Sequence, residues 1–246
     1  MFKSFQNTSK SHGFNGFPAL NFQMNPEIYG FRGCSFWLDA SFGTNTTTDL
    51  AAVSSWQARI GDISFIQNTA ANQPRYIASN TNMNNFPTID FYDNARIMTS
   101  AKNVPFGASS DTMIIVAKYD TLNSINTVIG SSSNYGGFFL GGTFSGMGGC
   151  GMFDNGGGLF KSGTTELTRG RIFIATDTNI TVDGTEESTF TSFTPSYTLT
   201  QLGRLQTNAN YTLGGHIAEI LIFNRKFTNL EISRITQNLN AKYALY

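Results

Sequence analysis

Gly214-Gly215-His216-Ile217-Ala218-Glu219-Ile220-Leu221-Ile222-Phe223-Asn224-Arg225 is the stretch whose reading decides the fold. In extended backbone, Ala218, Ile220 and Ile222 share one face. Ile217, Leu221 and Phe223 share the other, with Glu219 among them. A strand that is apolar on both faces is covered on both. Asn224-Arg225-Lys226 ends the run. Thr228-Asn229-Leu230-Glu231 then reads as a capping box, in which Thr228 accepts from the amide three residues on and Glu231 reaches back to the Thr228 amide. Ile232, Ile235, Leu239 and Tyr243 recur at helical spacing, which predicts a short helix with one buried stripe.

Working outward, the rest of the chain reads as short strands between Gly, Asn and Ser turns. Thr112 to Tyr119 is nearly all apolar and predicts a central strand. Ile63–Ile66, Arg75–Ile77, Thr88–Phe91, Arg96–Met98, Thr127–Ile129, Arg171–Thr176, Asn179–Val182, Thr189–Thr191 and Tyr197–Leu202 are further strands. Asp183-Gly184 is a hairpin signal, because Gly supplies the positive φ the turn needs. The Gly-rich stretch from Tyr135 to Gly158 lacks the Gly-Lys-Ser/Thr ending and the strand-to-helix setting of a phosphate loop. Its glycines fit tight hairpins around Phe138-Phe139-Leu140, Met152-Phe153 and Leu159-Phe160. Trp56 reads as a core residue, with sugar stacking as the alternative.

GGHIAEILIFNR, TNLEI and LNAKYAL together resemble the C-terminal signature of the concanavalin A-like lectin/glucanase superfamily, in particular the laminin-G-like jelly roll found in bacteriophage virion proteins. Phe36-Trp37-Leu38-Asp39-Ala40 resembles the family's opening strand, and Pro87-Thr88-Ile89-Asp90-Phe91 resembles a later one. Val53-Ser54-Ser55-Trp56 followed by Gly61 matches a further element, except that Gln57 stands where the family usually has Asp. The resemblance runs from about Phe36 to the C-terminus. It implies an all-β chain: a concanavalin A-like jelly-roll β-sandwich of two antiparallel sheets, with a short C-terminal helix over residues 34–246 and an extended N-terminal arm over 1–33. The fold hosts lectins, hydrolases and structural modules, so the function must come from the residues.

Composition narrows the classes. The 246 residues suffice for one large β domain. Lys+Arg and Asp+Glu are 16 each, so the formal charge is zero and no basic footprint for nucleic acid or an acidic membrane is present. No run approaches a membrane span. Cys34 and Cys150 do not make a disulfide framework; two thiols or a single bridge both fit. No CxxC or His cluster suggests zinc. Met1 to Asn7 has no apolar export run, so the expectation is a protein assembled in a host cytoplasm and located in a virion.

Candidate chemistry is sparse. A glycosidase needs two carboxylates that reach one bond. Glu186-Glu187 are adjacent and point to opposite faces of a strand, Glu219 stands alone, and Asp90 and Asp93 are three apart near a turn. Neither His12 nor His216 accompanies a nucleophile elbow. The expectation is no enzyme, no catalytic residue and no cofactor. Asp39, Asp49, Asp62, Asp90, Asp93 and Asp154 could ligate calcium, but their spacing forms no ion-wrapping loop, so no metal is expected. Asn134-Tyr135 and Asn210-Tyr211 loosely fit glycan contacts.

Phe2, Phe5, Phe14, Phe17, Phe22 and Phe31 lie in a polar arm that either wraps its own sandwich or plugs into a neighbouring subunit. By resemblance, the expected function is a structural virion protein, a bacteriophage capsid decoration or minor capsid protein attached through that arm. Its partners would be the major capsid protein, other virion subunits and copies of itself. The alternative is a glycan-binding adhesion module.

Overall fold

The computed structural model describes residues 32–92, 96–107, 110–120, 125–133, 136–141, 150–153, 159–161, 169–189, 198–206 and 211–246. The arm and its six phenylalanines lie outside these residues. Among the described residues the strands are β1 (Cys34–Asp39), β2 (Ser55–Gln57), β3 (Ser64–Ile66), β4 (Arg75–Asn80), β5 (Phe86–Asp90), β6 (Met98–Val104), β7 (Thr112–Tyr119), β8 (Asn126–Gly130), β9 (Gly137–Leu140), β10 (Cys150–Phe153), β11 (Leu159–Lys161), β12 (Arg171–Ala175), β13 (Asn179–Val182), β14 (Thr185–Thr189), β15 (Leu199–Leu202) and β16 (Gly215–Phe223). The helix α1 (Asn229–Tyr243) follows. The expected jelly-roll sandwich of two antiparallel sheets with a C-terminal helix is the fold the chain adopts.

One sheet runs β14-β13-β12-β7-β16-β5-β4, with β1 also on β16. The other runs β11-β10-β9-β8-β15-β6-β3-β2. β16 is the hinge of the first sheet. Its whole length pairs with β7. Its other edge is shared: His216 and Ile217 pair with β5, and Glu219 to Phe223 pair with β1. The Gly-rich segment supplies β9, β10 and β11, which pair as successive antiparallel strands.

The face assignment within β16 departs from simple alternation. The register against β7 shifts between Ile217 and Glu219. A bulge of this kind inserts one residue and reverses the faces on one side of it. Ile217 therefore joins Ile220 and Ile222 in the inter-sheet core, with Phe36, Leu38, Met113, Ile115 and Phe173 of the same sheet and Trp56, Phe65, Val128 and Phe138 of the other. Fully burying each such side chain contributes about 1.5–3 kcal/mol. Trp56 is a core residue, and its indole donates to the Asp39 carbonyl at 3.1 Å. By the same bulge, His216 and Glu219 both face outward, toward the side on which α1 lies.

Helix α1 starts as its sequence requires. Glu231 N–H donates to Thr228 Oγ1 at 3.3 Å, and Thr228 N–H donates to Glu231 Oε2 at 2.9 Å. The buried stripe contains the expected Ile232, Ile235, Leu239 and Tyr243, together with Thr236 and Lys242. The turn between β13 and β14 has φ of 52° at Asp183 and 83° at Gly184. No disulfide joins Cys34 and Cys150. Among the described residues no helix is long and apolar enough to cross a membrane.

Candidate functional site

At one end of the first sheet, cross-strand pairing lines up four polar residues. Arg75 lies opposite Asp90 in the β4–β5 ladder. Asp90 lies opposite His216 between β5 and β16. His216 lies opposite Lys118 between β16 and β7. Directly opposed residues project to the same face, so Arg75, Asp90, His216 and Lys118 form one row across four strands. Asp120, just beyond β7, completes the group. Its amide donates to the Gly214 carbonyl at 2.7 Å, which fixes the chain beside His216.

The contacts within this row are short. His216 Nε2 is 2.9 Å from Asp120 Oδ2 and 3.9 Å from Asp90 Oδ1. His216 Nδ1 lies 3.2 Å from the Thr88 hydroxyl, which accepts from the Asn80 amide at 3.1 Å. Lys118 Nζ is 2.7 Å from Asp120 Oδ1, and an Arg75 guanidinium nitrogen is 3.2 Å from Asp90 Oδ2. The Arg75 guanidinium also lies 3.4 Å from the centre of the Tyr92 ring, and that of Arg96 lies 4.2 Å from it. Asp90 and Lys118 are buried, while Asp120 keeps 44% of its side chain exposed.

The two carboxyls are driven in opposite directions. Burial raises Asp90 above its ordinary value, against the pull of His216 and Arg75. Burial also acts to raise Asp120, but hydrogen bonds from His216 and Lys118 outweigh it and hold the group below its ordinary value. One ligand atom each from Asp90, Asp120 and His216 lie within 4.8 Å of one another, so these three residues could hold a metal. Lys118 and Arg75 already neutralise the two carboxylates, however, and an incoming divalent ion would compete with both.

The other aspartates considered as calcium ligands go elsewhere. Asp39 is buried beside Arg59, at 3.1 Å. Asp49 accepts from the Ala78 amide. Asp62 pairs with Lys102 at 2.6 Å. Asp93, Asp154, His12, Asn134, Tyr135 and Asn210 lie outside the described residues. Tyr211 packs against the small cluster of Ile125, Phe139 and Leu205. Glu219, solitary in the sequence, is fully buried and accepts from Trp37 at 2.7 Å, Lys242 at 3.0 Å and Tyr243 at 2.7 Å. These contacts make it structural. Reading along single strands missed the Asp90–Asp120–His216 group, because its members come together only across the sheet. The available signal was that Asp90 ends β5, His216 lies at the start of β16 and Asp120 follows β7.

No protein-family model and no curated protein matches the sequence. Solved structures do. Domain 4 of AbnA, a GH43 extracellular arabinanase from Geobacillus stearothermophilus solved in complex with arabinotriose, is 9% identical with a TM-score of 0.58, covering 83% of this chain and 98% of that one. Trypanosoma rangeli sialidase in complex with sialic acid is 13% identical with a TM-score of 0.52, and this chain spans only 33% of its length while 85% of this chain is covered. The binding domain of Paraclostridial Mosquitocidal Protein 1 is 12% identical with a TM-score of 0.55, covering 83% of this chain and 52% of that one. At these identities the likeness is one of fold. It corrects the expectation that the chain is not an enzyme only as far as fold goes: the same fold recurs within an arabinanase and a sialidase. The likenesses give no support to the bacteriophage connection or to capsid partners.

Proposed function

We propose that this chain is a glycan-binding β-sandwich module that recognises neutral saccharide at the rim around His216. The observation that carries this reading is the in-register row Arg75–Asp90–His216–Lys118 with Asp120 at its open end. Arg75 is paired with Asp90 and Lys118 with Asp120, so the row is no strong attractor of an anion or a cation. Its donors and acceptors are held by mutual ion pairs, and such pre-ordered polar groups lose little freedom on binding adjacent hydroxyls. Support comes from the whole-domain likeness to a domain solved with arabinotriose and from the likeness to a toxin's binding domain. Affinity electrophoresis through gels containing neutral polysaccharides, arabinan among them, tests it. Wild type is retarded, and His216→Ala and Asp120→Ala, folded by circular dichroism, are not. Equal migration of all three in every gel refutes the reading.

A second reading has its own observation. Carboxyls pushed apart in pKa at one site are how acid and base roles are divided, and Asp90 and Asp120 are such a pair. Hydrolysis of a glycosidic bond would use Asp90 as the protonated acid and Asp120 as the ionised partner. Release of reducing ends that disappears in both Asp90→Asn and Asp120→Asn would establish it. Binding with no release excludes it for the substrates tried.

A further inference from the structure

A hydrogen-bond chain runs into the rim from beneath, and its first member fixes its direction. The Asn82 backbone N–H donates to Asn80 Oδ1 at 3.0 Å, across the start of the short helical turn Thr81–Met83. A backbone N–H can only donate, so the Asn80 oxygen is the atom that faces it and the Asn80 amide nitrogen faces Thr88. That nitrogen donates to Thr88 Oγ1 at 3.1 Å. The Thr88 hydroxyl, thus supplied with a donor, has its own proton for His216 Nδ1, 3.2 Å away. Asn80 and Thr88 are both buried, which shields these bonds from water.

An imidazole that carries one proton and accepts at Nδ1 has that proton on Nε2. His216 Nε2 therefore donates to Asp120 Oδ2, 2.9 Å away. Lys118 Nζ lies against the other oxygen, Asp120 Oδ1, at 2.7 Å. The ionised Asp120 carboxylate can only accept, and it has about four acceptor positions, two on each oxygen. His216 and Lys118 occupy one on each. One remains on each oxygen, on a side chain that is 44% exposed.

We infer that the rim recognises a vicinal diol, two adjacent ring hydroxyls donating one to each oxygen of Asp120, and that Asn80 and Thr88 are the positioning residues behind it. This rests on the saccharide reading of the rim and narrows it. A ring diol brings two donors side by side on one rigid frame, whereas a lone hydroxyl reaches one oxygen only. A group that can only accept finds no partner on Asp120. Thr88 acts through His216: with no hydroxyl at Nδ1 the ring is free to turn or to shift its proton from Nε2, and Asp120 loses a donor that orients it. A carboxylate held in place before the ligand arrives loses less freedom on binding.

Affinity electrophoresis of the full chain in gels of arabinan and of dextran, each before and after periodate oxidation and borohydride reduction, tests the diol. Periodate breaks the carbon–carbon bond between adjacent free hydroxyls and spares isolated ones. The expected result is retardation in at least one untreated gel, lost in its oxidised counterpart. Thr88→Val, folded by circular dichroism, should weaken that retardation about ten-fold, the worth of one good hydrogen bond, while Thr88→Ser, which keeps the hydroxyl, should preserve it. The positioning is measured without any saccharide, from the two-bond ¹H–¹⁵N spectrum of the imidazoles in the ¹⁵N-labelled chain. The neutral His216 ring, assigned by the loss of its signals in His216→Ala, should show a protonated Nε2 and a bare Nδ1 in wild type and Thr88→Ser, and a mixture of tautomers in Thr88→Val. Retardation that survives periodate overturns the diol and leaves the saccharide reading standing. Retardation in no untreated gel ends that reading and the diol with it. A neutral His216 ring protonated at Nδ1, or one that Thr88→Val leaves unchanged, overturns the positioning role.

Discussion

Asp39 and Glu219 stand directly opposite each other in the β1–β16 ladder, both buried. Like charges so placed repel, and the helix resolves the conflict. Lys242 Nζ lies 3.0 Å from Glu219 and 3.9 Å from Asp39, while Arg59 holds Asp39 from the other side at 3.1 Å. Tyr243 adds its hydroxyl to Glu219, and that hydroxyl's pKa is driven well above the usual tyrosine value by burial and then by the Glu219 charge. The C-terminal helix is thereby tied to the first strand and to the last one. Lys242→Met removes the shared counter-charge and leaves two buried carboxylates facing each other. The expected loss is about 3–5 kcal/mol, read from urea unfolding. Combining it with Glu219→Leu should cost less than the sum of the two single changes, and simple additivity would show that the residues do not act as a unit.

The capping box gives a pH-dependent contribution. The Arg225 hydrogen bond, helped by those from Thr228, lowers Glu231 to about 2 from 4.5. A depressed carboxyl stabilises the fold fully above its unfolded value and loses that stabilisation as pH falls toward the folded one. Asp90 works with the opposite sign: raised by burial, its linked stability is full at low pH and lost as pH rises through its folded value. Glu231→Gln should therefore flatten the decline in Tm between about pH 4.5 and 2. Thr228→Ala should cost about 1 kcal/mol at neutral pH.

Cys34 should resist alkylation. Burial pushes its thiol up to about 12, and the thiol donates to the Phe36 carbonyl at 3.3 Å, a bond only the protonated form can make. The thiolate is the reactive species. Iodoacetamide at pH 8 should modify Cys34 in the native chain far more slowly than in urea, as followed by peptide mass spectrometry. Equal rates would contradict this assignment.

Gly215 controls the geometry of the rim. A Cβ there would lie 2.2 Å from the Lys118 carbonyl oxygen and 2.5 Å from the Tyr119 Cα. Gly215→Ala must part β16 from β7 beside His216. It should cost about 1–3 kcal/mol, the usual price of overpacking, and weaken saccharide binding together with stability.

Removing metal should do little. Asp90 and Asp120 already have Arg75 and Lys118 as counter-charges. Dialysis against EDTA should leave Tm unchanged. A fall of more than about 3 °C, roughly 1 kcal/mol for a chain of this size, would show a cation on Asp90, Asp120 and His216.

The sandwich was legible because its signals are local. A nearly continuous apolar run marks β7, the capping box at Thr228 marks the start of α1, and helical spacing picks out Ile232, Ile235, Leu239 and Tyr243. The bulge after Ile217 was not legible, since one extra residue leaves no compositional trace, and it turned His216 outward. Lys242 in the core was also missed, because a lysine is buried only when a specific partner awaits it, and that partner, Glu219, is 23 residues away in sequence. The rim was invisible for the same reason. Asp90, Asp120 and His216 meet through sheet register, which sequence spacing does not express.

The most direct test of the account is binding of the labelled chain to an array of neutral oligosaccharides, run in parallel with Asp120→Ala. The account predicts retention on at least one class of neutral glycan, weakened about ten-fold or more in the variant, the equivalent of roughly 1.4 kcal/mol. Retention on no neutral glycan, or retention that Asp120→Ala leaves untouched, would contradict recognition at the rim around His216.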